Sequence, residues 1–451
     1  MTIWWVAGSV EMPDPETSRP ETSRPETSRP ETFRPETPGG KTPGPGSAVT
    51  FNDLLWKRLA RGTDAARRWP WWIRIAVIYL AARFVSYCIF EAVSLHQGIS
   101  PWGGAQPDYL HFIGIWDSTW YRDVFDNGYP SVIPRDAAGV ARENPWAFYP
   151  LYPFLVRGLG AVTSLGWLVL APAVSLAAGL AASLLIYRLF SRFASTSTAT
   201  WGTVFFVTFP VSPVLQVPYA ESLSLLLLAA ALYLLVRQRY LWAMPVVVLM
   251  CLSRPAGVPF AAVVGAHLLF RFLRRRTVQI RTTELLSGMA LLFVSALAAF
   301  AWPLIAWAAT GQLSAYTDTE TAWRGTGLQL FSPWFATGRQ LFGPVLGPVA
   351  PVVLVLLFAL YIGSRGVRNI GSDLQLWCIA YFGYILAVLQ PQTSTFRMLL
   401  PFFPLALAAA FVSDSRAYRG TVVVLFILLQ IVWVAWLWSW AELPGGGDYP
   451  P

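Results

Sequence analysis

The sequence predicts an all-α polytopic membrane protein of about eleven transmembrane helices, between about 10 and 12. It also predicts a large extracytoplasmic first loop containing an interfacial helix. Three observations lead there. Of 451 residues, 55% are hydrophobic and 13% charged, against about 25% charged in soluble domains. Apolar runs of membrane-spanning length follow one another from Pro70 onward. The basic residues behind the net charge of +9 fall in short clusters between those runs. That is the pattern of topology signals, not of a nucleic-acid patch.

Residues 1–50 form a separate segment. Pro15, Pro20 and Pro25 each open a perfect Pro-Glu-Thr-Ser-Arg copy, Pro30 opens a variant with Phe33, and Pro35 a partial copy. Proline at every fifth residue blocks a helix, and nothing there can bury a core, so a disordered tail is expected. Met1 to Val10 lacks a basic n-region and a long apolar h-region, so it does not read as a cleaved signal peptide. Cys88, Cys251 and Cys378 sit singly in apolar runs, with neither metal-ligand spacing nor a disulfide framework. Lys41 and Lys57 are the only lysines, and Ala and Gly are abundant. This bias points to a GC-rich, bacterial genome and so to a bacterial cell membrane.

Within a 51–440 membrane domain, the apolar runs place spans near 71–94, 164–187, 197–214, 218–236, 240–254, 255–270, 283–309, 345–363, 373–390, 398–413 and 419–440. The arginines test this order. Arg58, Arg61, Arg67, Arg68 and Arg74 precede or open the first span, so the N-terminus is expected to be cytoplasmic. Counting onward, Arg188 and Arg192, Arg237 and Arg239, Arg271 with Arg274 to Arg276 and Arg281, Arg365 and Arg368, and Arg416 and Arg419 all land on the inside. Between Arg239 and Arg271 the chain must cross and return, as two short spans or a re-entrant hairpin, with Arg254-Pro255 at the outer turn. The short tail 441–451 ends outside.

Two long outer segments follow, 96–163 and 310–344, and the first is rich in Trp, Tyr and Asp. A loop of that length carries more than a connection. Ile113, Trp116, Trp120 and Val124 have helical spacing and make an apolar stripe, which predicts a helix lying in the membrane interface. Asp117 and Tyr121 share the adjacent face at i, i+4, and Asn127-Gly128 supplies a stop. Asp117 would sit where a lipid-linked substrate presents its polar head; the alternative is an anchoring helix with solvated acids. Tyr219 and Glu221 open the 218–236 span, where the acid is either a site residue or a helix-dipole partner. Arg254 lies deep in an apolar hairpin, which marks a functional candidate. Arg397 lies on the outer side, against the topology bias. The second outer segment adds Tyr316, Asp318, Glu320, Trp323 and Arg324. Acids and isolated arginines on one face suit group transfer from a phosphate-linked donor, or transport of an anion.

These residues carry a resemblance. Trp116-Asp117-Ser118-Thr119-Trp120-Tyr121 with Gly128-Tyr129 resembles the first-loop signature of the PIG-V mannosyltransferase family. Ala147-Phe148-Tyr149-Pro150-Leu151-Tyr152-Pro153 is similar to that family's Phe-Phe-Pro-x-x-Pro segment, and Pro218-Tyr219-Ala220-Glu221-Ser222-Leu223 to its Tyr-x-Glu-Ser segment. Ser253-Arg254-Pro255-Ala256-Gly257 is a looser match to Arg-Ser-Asn-Gly, and Arg397 with Pro401 to Pro404 resembles the late Arg…Phe-Pro element. The likeness covers roughly residues 70–440. It departs at Ile115, where the family often has His, and at Pro255-Ala256.

The resemblance implies a GT-C-like bundle whose extracytoplasmic loops hold the active site. It implies a polyprenyl-phosphate-mannose donor, a lipid, glycan or protein acceptor, and membrane lipids but no nucleic acid as partners. Asp117 matches the expected catalytic base. Trp116, Tyr121, Tyr149, Tyr219, Glu221, Arg254 and Arg397 are then the expected substrate-binding residues, with an arginine on the leaving phosphate. A monophosphate leaving group does not demand a metal, and neither His96 nor His111 has a convincing ligand spacing, so no cofactor is expected. The alternatives are a divalent ion on Asp117 and Asp123, and, for the whole chain, a transporter or flippase of an anionic or lipid-linked substrate. The transporter would show discontinuous helices at corresponding positions of two halves.

Overall fold

A computed structural model describes residues 69–275, 281–442 and 451. The repeat tail expected over 1–50 and most of the tail 441–451 lie outside the described residues, as do Arg58, Arg61, Arg67 and Arg68. Among the described residues the structure is helical, without named strands. In chain order the helices are α1 (Trp71–Ser94), α2 (Tyr109–Ile113), α3 (Asp117–Asn127), α4 (Leu151–Thr163), α5 (Trp167–Phe190), α6 (Thr196–Thr208) and α7 (Glu221–Val236). There follow α8 (Tyr240–Cys251), α9 (Gly257–Leu273), α10 (Thr282–Ala299), α11 (Ala301–Thr310), α12 (Ala315–Arg324), α13 (Ser332–Leu346) and α14 (Val349–Ile362). The last are α15 (Arg365–Arg368), α16 (Ser372–Val388), α17 (Pro404–Ala410) and α18 (Arg416–Val432). A 3-10 segment, Thr393–Phe402, precedes α17, and a π-turn, Trp433–Trp438, extends α18.

Four of these are long and apolar enough to cross a membrane: α1, α5, α10, and α18 with its π-turn. Two bent pairs bring the number to six, α13 with α14 at 107° and the 3-10 segment with α17 at 72°. Large apolar side chains such as Leu80, Phe84, Leu360 and Leu428 stand exposed along these helices. In water so much exposed apolar surface would be an aggregation hazard, and the chain is a multi-pass membrane protein. The expected count of eleven is not reached by length and composition. At 1.5 Å per residue α8 is only about 18 Å long, short of a ~30 Å hydrocarbon core. The expected 240–270 hairpin is present as α8 and α9, with Arg254 in its turn.

Proline and its satisfied carbonyls explain why several expected spans end early. The 197–214 run stops as a helix at Thr208 and continues through Pro210 and Pro213 as a 3-10 turn, Ser212–Gln216. Proline removes a backbone donor and leaves carbonyls open. Buried Arg83 of α1 answers them: Nη2 donates to Val207 O at 2.7 Å and Nη1 to Ser212 O. Gln430 of α18 donates to Thr208 O at 2.7 Å. Arg83 was not singled out in the sequence, because one Arg in an apolar run near a basic cluster reads as part of that cluster. Pro401 and Pro404 likewise turn the expected 398–413 span into the 3-10 segment and the short α17. Gly343, at φ +78°, and Pro344 kink α13 near its end, shortly before the bend to α14.

The core is built on α7, which packs between α5 and α8, while α9 packs on α10 and α16. The segment 96–163 departs from its expectation. The stripe Ile113, Trp116, Trp120 and Val124 does not run along one helix. The chain breaks at Gly114–Trp116 between α2 and α3, and Ile113, Trp116 and Val124 are buried in protein, not presented to the interface. Helical spacing reports a covered face; it does not say whether lipid or protein covers it. The stop at Asn127-Gly128 is as expected, with Gly128 at φ +79°.

The segments 96–163 and 310–344 are fastened to each other. Arg135 pairs with Asp318 at 2.6 Å, and Asn144 Nδ2 donates to Thr319 Oγ1 at 3.0 Å. Trp323 of α12 sits edge-on to both Trp120 and Phe148. Trp302 of α11 donates to Trp146 O at 2.9 Å. The second loop is thus a structured cap of α12 and the start of α13.

Candidate active site

Four chain segments bring their charges together at the N-terminal end of α7. Glu221 occupies the first turn of that helix. Arg254 reaches it from the α8–α9 turn and ion-pairs with its Oε1. Arg397, on the 3-10 segment, places Nη1 2.6 Å from Asp117 Oδ2 and 3.7 Å from Glu221 Oε1. The result is a chain Asp117–Arg397–Glu221–Arg254 of two acids and two bases. Side-chain exposure is 15% at Asp117 and 7% at both Arg397 and Glu221, so the group sits where charge is worth more than at a surface. A helix N-terminus favours the Glu221 carboxylate as well; the dipole role and the paired role coexist. Bent chain geometry makes the site possible. A 3-10 segment in place of an α-helix is a feature that commonly marks a functional break, and it carries Arg397 here.

The positioning of Asp117 involves strain. Trp116, just before α3, has φ +60° and ψ −132°, a conformation disfavoured for a bulky residue. It is held there by its indole, which donates to Trp438 O at 2.7 Å and packs against Trp102. The Asp117 backbone N–H donates to the Tyr219 hydroxyl at 3.1 Å. The Tyr219 ring also lies under the Arg397 guanidinium, 5.2 Å from its centroid. Trp116 and Tyr219 therefore act as supports for Asp117 and Arg397. Neither lines the neighbouring cavity, nor does Asp117 itself.

That cavity, about 230 Å³, is lined by Tyr121, Tyr149, Glu221, Arg254 and Arg397 among the expected residues. It adds a second polar group from the α12 cap, Glu320 and Arg324, paired at 3.2 Å. Burial pushes the Glu320 carboxyl up from its ordinary range, with Arg324 opposing. Tyr316, whose hydroxyl lies 3.2 Å from that of Tyr149, and Tyr381 and Tyr384 of α16 complete the polar rim, and Leu225, Leu228 and Ile385 are among its apolar walls. Sequence reasoning had no route to Tyr381 and Tyr384, which stand in an apolar run with no polar neighbour to draw attention. Three buried polar atoms of the charge chain, Glu221 Oε2 and Arg397 Nε and Nη1, have no hydrogen-bond partner among the described residues. Unsatisfied buried polar groups are costly and ask for a bound polar partner. Among the described residues no three His, Cys, Asp or Glu side chains gather in a metal-binding group. Asp123, the second residue of the possible ion site, accepts from Asn127 Nδ2 at 2.7 Å.

No family model matches the chain, and no curated protein matches it. Solved structures of an archaeal oligosaccharyltransferase do. The crystal structure of the Archaeoglobus fulgidus enzyme complexed with Zn and sulfate is 16% identical, with a TM-score of 0.46 over 79% of this chain and 53% of that one. Archaeoglobus fulgidus AglB in complex with an inhibitory peptide and a dolichol-phosphate is 14% identical, with a TM-score of 0.42 over 80% and 55%. The chain spans about half the length of these structures. A likeness of this degree transfers no site residue and no substrate.

Proposed function

We propose that the chain is a glycosyltransferase of the GT-C type. It moves a mannosyl residue from a polyprenyl-phosphate-linked donor to a lipid, glycan or protein acceptor on the extracytoplasmic face. The observation that carries this reading is the buried Asp117–Arg397–Glu221–Arg254 chain, with unsatisfied polar atoms, beside a cavity of apolar walls and polar rim. Such a cavity accepts a lipid-borne head group, and arginine forks match phosphate oxygens. The motif resemblance to PIG-V mannosyltransferases supports the choice of mannose and of a monophosphate donor.

The reaction is an inverting displacement. Asp117 lies behind Arg397, outside the cavity lining; once Arg397 shifts, it takes the proton from an acceptor hydroxyl, and the hydroxyl oxygen forms the new bond to the anomeric carbon. The bond from that carbon to the donor phosphate oxygen breaks, and its electron pair leaves with the polyprenyl phosphate. Arg254 and Arg397 stabilise the developing phosphate charge. Arg397 has a double duty, since it also holds Asp117. A donor phosphate drawing Arg397 toward the cavity releases the Asp117 carboxylate for the acceptor proton, so donor binding would arm the base. Glu221 and Tyr121 face the sugar hydroxyls, and Tyr149 shapes the groove. No metal takes part in this scheme.

The competing transporter reading calls for broken helices at corresponding positions of two halves. The two bent pairs, at 332–362 and 393–410, both fall in the C-terminal part. The deciding experiment uses membranes carrying wild-type protein or Asp117→Asn at equal expression, supplied with polyprenyl-phosphate-[³H]mannose. Transfer by wild type and its loss in the variant is the expected result. Equal transfer by both removes Asp117 as the base, and no transfer by either removes the mannosyl donor.

A further inference from the structure

The far end of α7 holds a second concave site that the transfer reaction does not use. Sixteen residues separate Glu221 from Arg237, which at 1.5 Å per residue is about 24 Å along the helix. There, α1, α5 and α7 enclose a cleft lined by Arg74, Arg188, Arg192 and Arg237, with Trp71 and Tyr187 among its walls. No Asp or Glu among the described residues lines it. This is unlike the Glu221 cavity, where every arginine has an acid partner.

The guanidinium groups are oriented, not merely present. Arg188 lies over the Trp71 ring at 5.1 Å, and Trp71 in turn stacks on Tyr187 at 5.6 Å. Arg74 Nη2 donates to the Tyr187 hydroxyl at 3.3 Å, and Arg237 Nη1 to the Tyr233 hydroxyl at 3.2 Å. Arg74 Nε is buried with no partner among the described residues. A topology signal needs only positive charge near a helix end. It does not need four arginines around one hollow, three of them held against aromatic side chains. Four like charges around one hollow repel, so the arrangement favours an anion there.

We propose that this cleft binds the phosphate head group of an anionic membrane lipid. Exposed Trp69 and Trp72, beside the cleft at the start of α1, are the side chains that settle at the head-group level of a bilayer. They put the arginines within reach of lipid phosphates, and planar guanidinium forks match those oxygens. Exposed Leu241 and Trp242 at the start of α8, the helix that follows Arg237, offer apolar surface for acyl chains. The assignment stands independently of the glycosyl-transfer reading.

The test is native mass spectrometry of the full chain released from micelles containing phosphatidylglycerol and phosphatidylcholine. Wild type should retain phosphatidylglycerol preferentially. At about 1 kcal/mol per basic residue near an anionic head group, R188A/R192A should weaken that retention roughly 30-fold. Arg188 and Arg192 are both exposed, so the substitutions do not open the core. Arg192→Ala alone, expected to weaken retention roughly fivefold, gives a second reading with still less perturbation. Arg416→Ala, an exposed arginine outside this cleft, should leave retention unchanged. Equal retention of the two lipids by wild type, or equal phosphatidylglycerol retention by wild type and R188A/R192A, overturns the proposal. Displacement of the lipid by excess inorganic phosphate overturns its lipid source in favour of a soluble phosphate.

Discussion

Removing Arg397 alone from the Asp117–Arg397 pair should be more costly than removing both charges together. Nη1 and Oδ2 lie 2.6 Å apart, without the alignment of a hydrogen bond at Nη1, so charge holds the contact. At an effective dielectric constant of about 20 the Coulomb attraction is about 6 kcal/mol, and desolvation of both ions opposes it. Arg397→Met leaves Asp117 unpaired at 15% side-chain exposure, a loss of about 3–5 kcal/mol. Asp117→Asn is milder, about 2 kcal/mol, because Arg397 keeps Glu221 at 3.7 Å and the Tyr219 ring. The double variant leaves a neutral Asn–Met contact and an intact Glu221–Arg254 pair. Its loss should fall near the smaller single loss, giving a coupling energy of about 3–5 kcal/mol. Reversible unfolding in mixed micelles, followed by tryptophan fluorescence, measures the four proteins. Additive losses, with coupling under about 0.5 kcal/mol, would refute the claim that these residues form one buried ionic unit.

Three further outcomes follow from the same geometry. Arg254→Lys should keep the charge beside Glu221 but lose the planar fork, lowering kcat of the proposed glycosyl transfer at least about tenfold, as read by initial rates at saturating donor. Burial raises the Glu320 carboxyl, so its contribution to stability is complete below the ordinary value of 4.5 and is lost as pH rises through the elevated one. Melting temperature should therefore fall over that window in wild type and stay flatter in Glu320→Gln; parallel profiles would contradict it. Trp323→Ala should loosen the contact of α12 with Trp120 and Phe148 at a cost of about 3 kcal/mol, seen as faster amide exchange over Ala315–Arg324 while α5 stays protected.

The sequence alone determined that the chain is helical, multi-pass and apolar on its outside, because composition and run length report directly on the solvent a segment can face. It also picked out Glu221, Arg254 and Arg397, since a charge in an apolar run is expensive enough to be conspicuous. It located the turn carrying Arg254 and the end of α3 at Asn127, which depend on neighbours a few residues away. Only the tertiary structure decided which charges meet. Arg397 could have paired with any acid of the outer segments. That it bridges Asp117 and Glu221 follows from the 3-10 path through Pro401 and from α3 being anchored by Trp438, contacts more than a hundred residues apart in sequence. The same holds for Trp116 and Tyr219, expected to touch substrate and found supporting Asp117 from behind. Residue type and spacing say that an aromatic ring will be covered. What covers it is settled by packing between segments that local sequence does not connect.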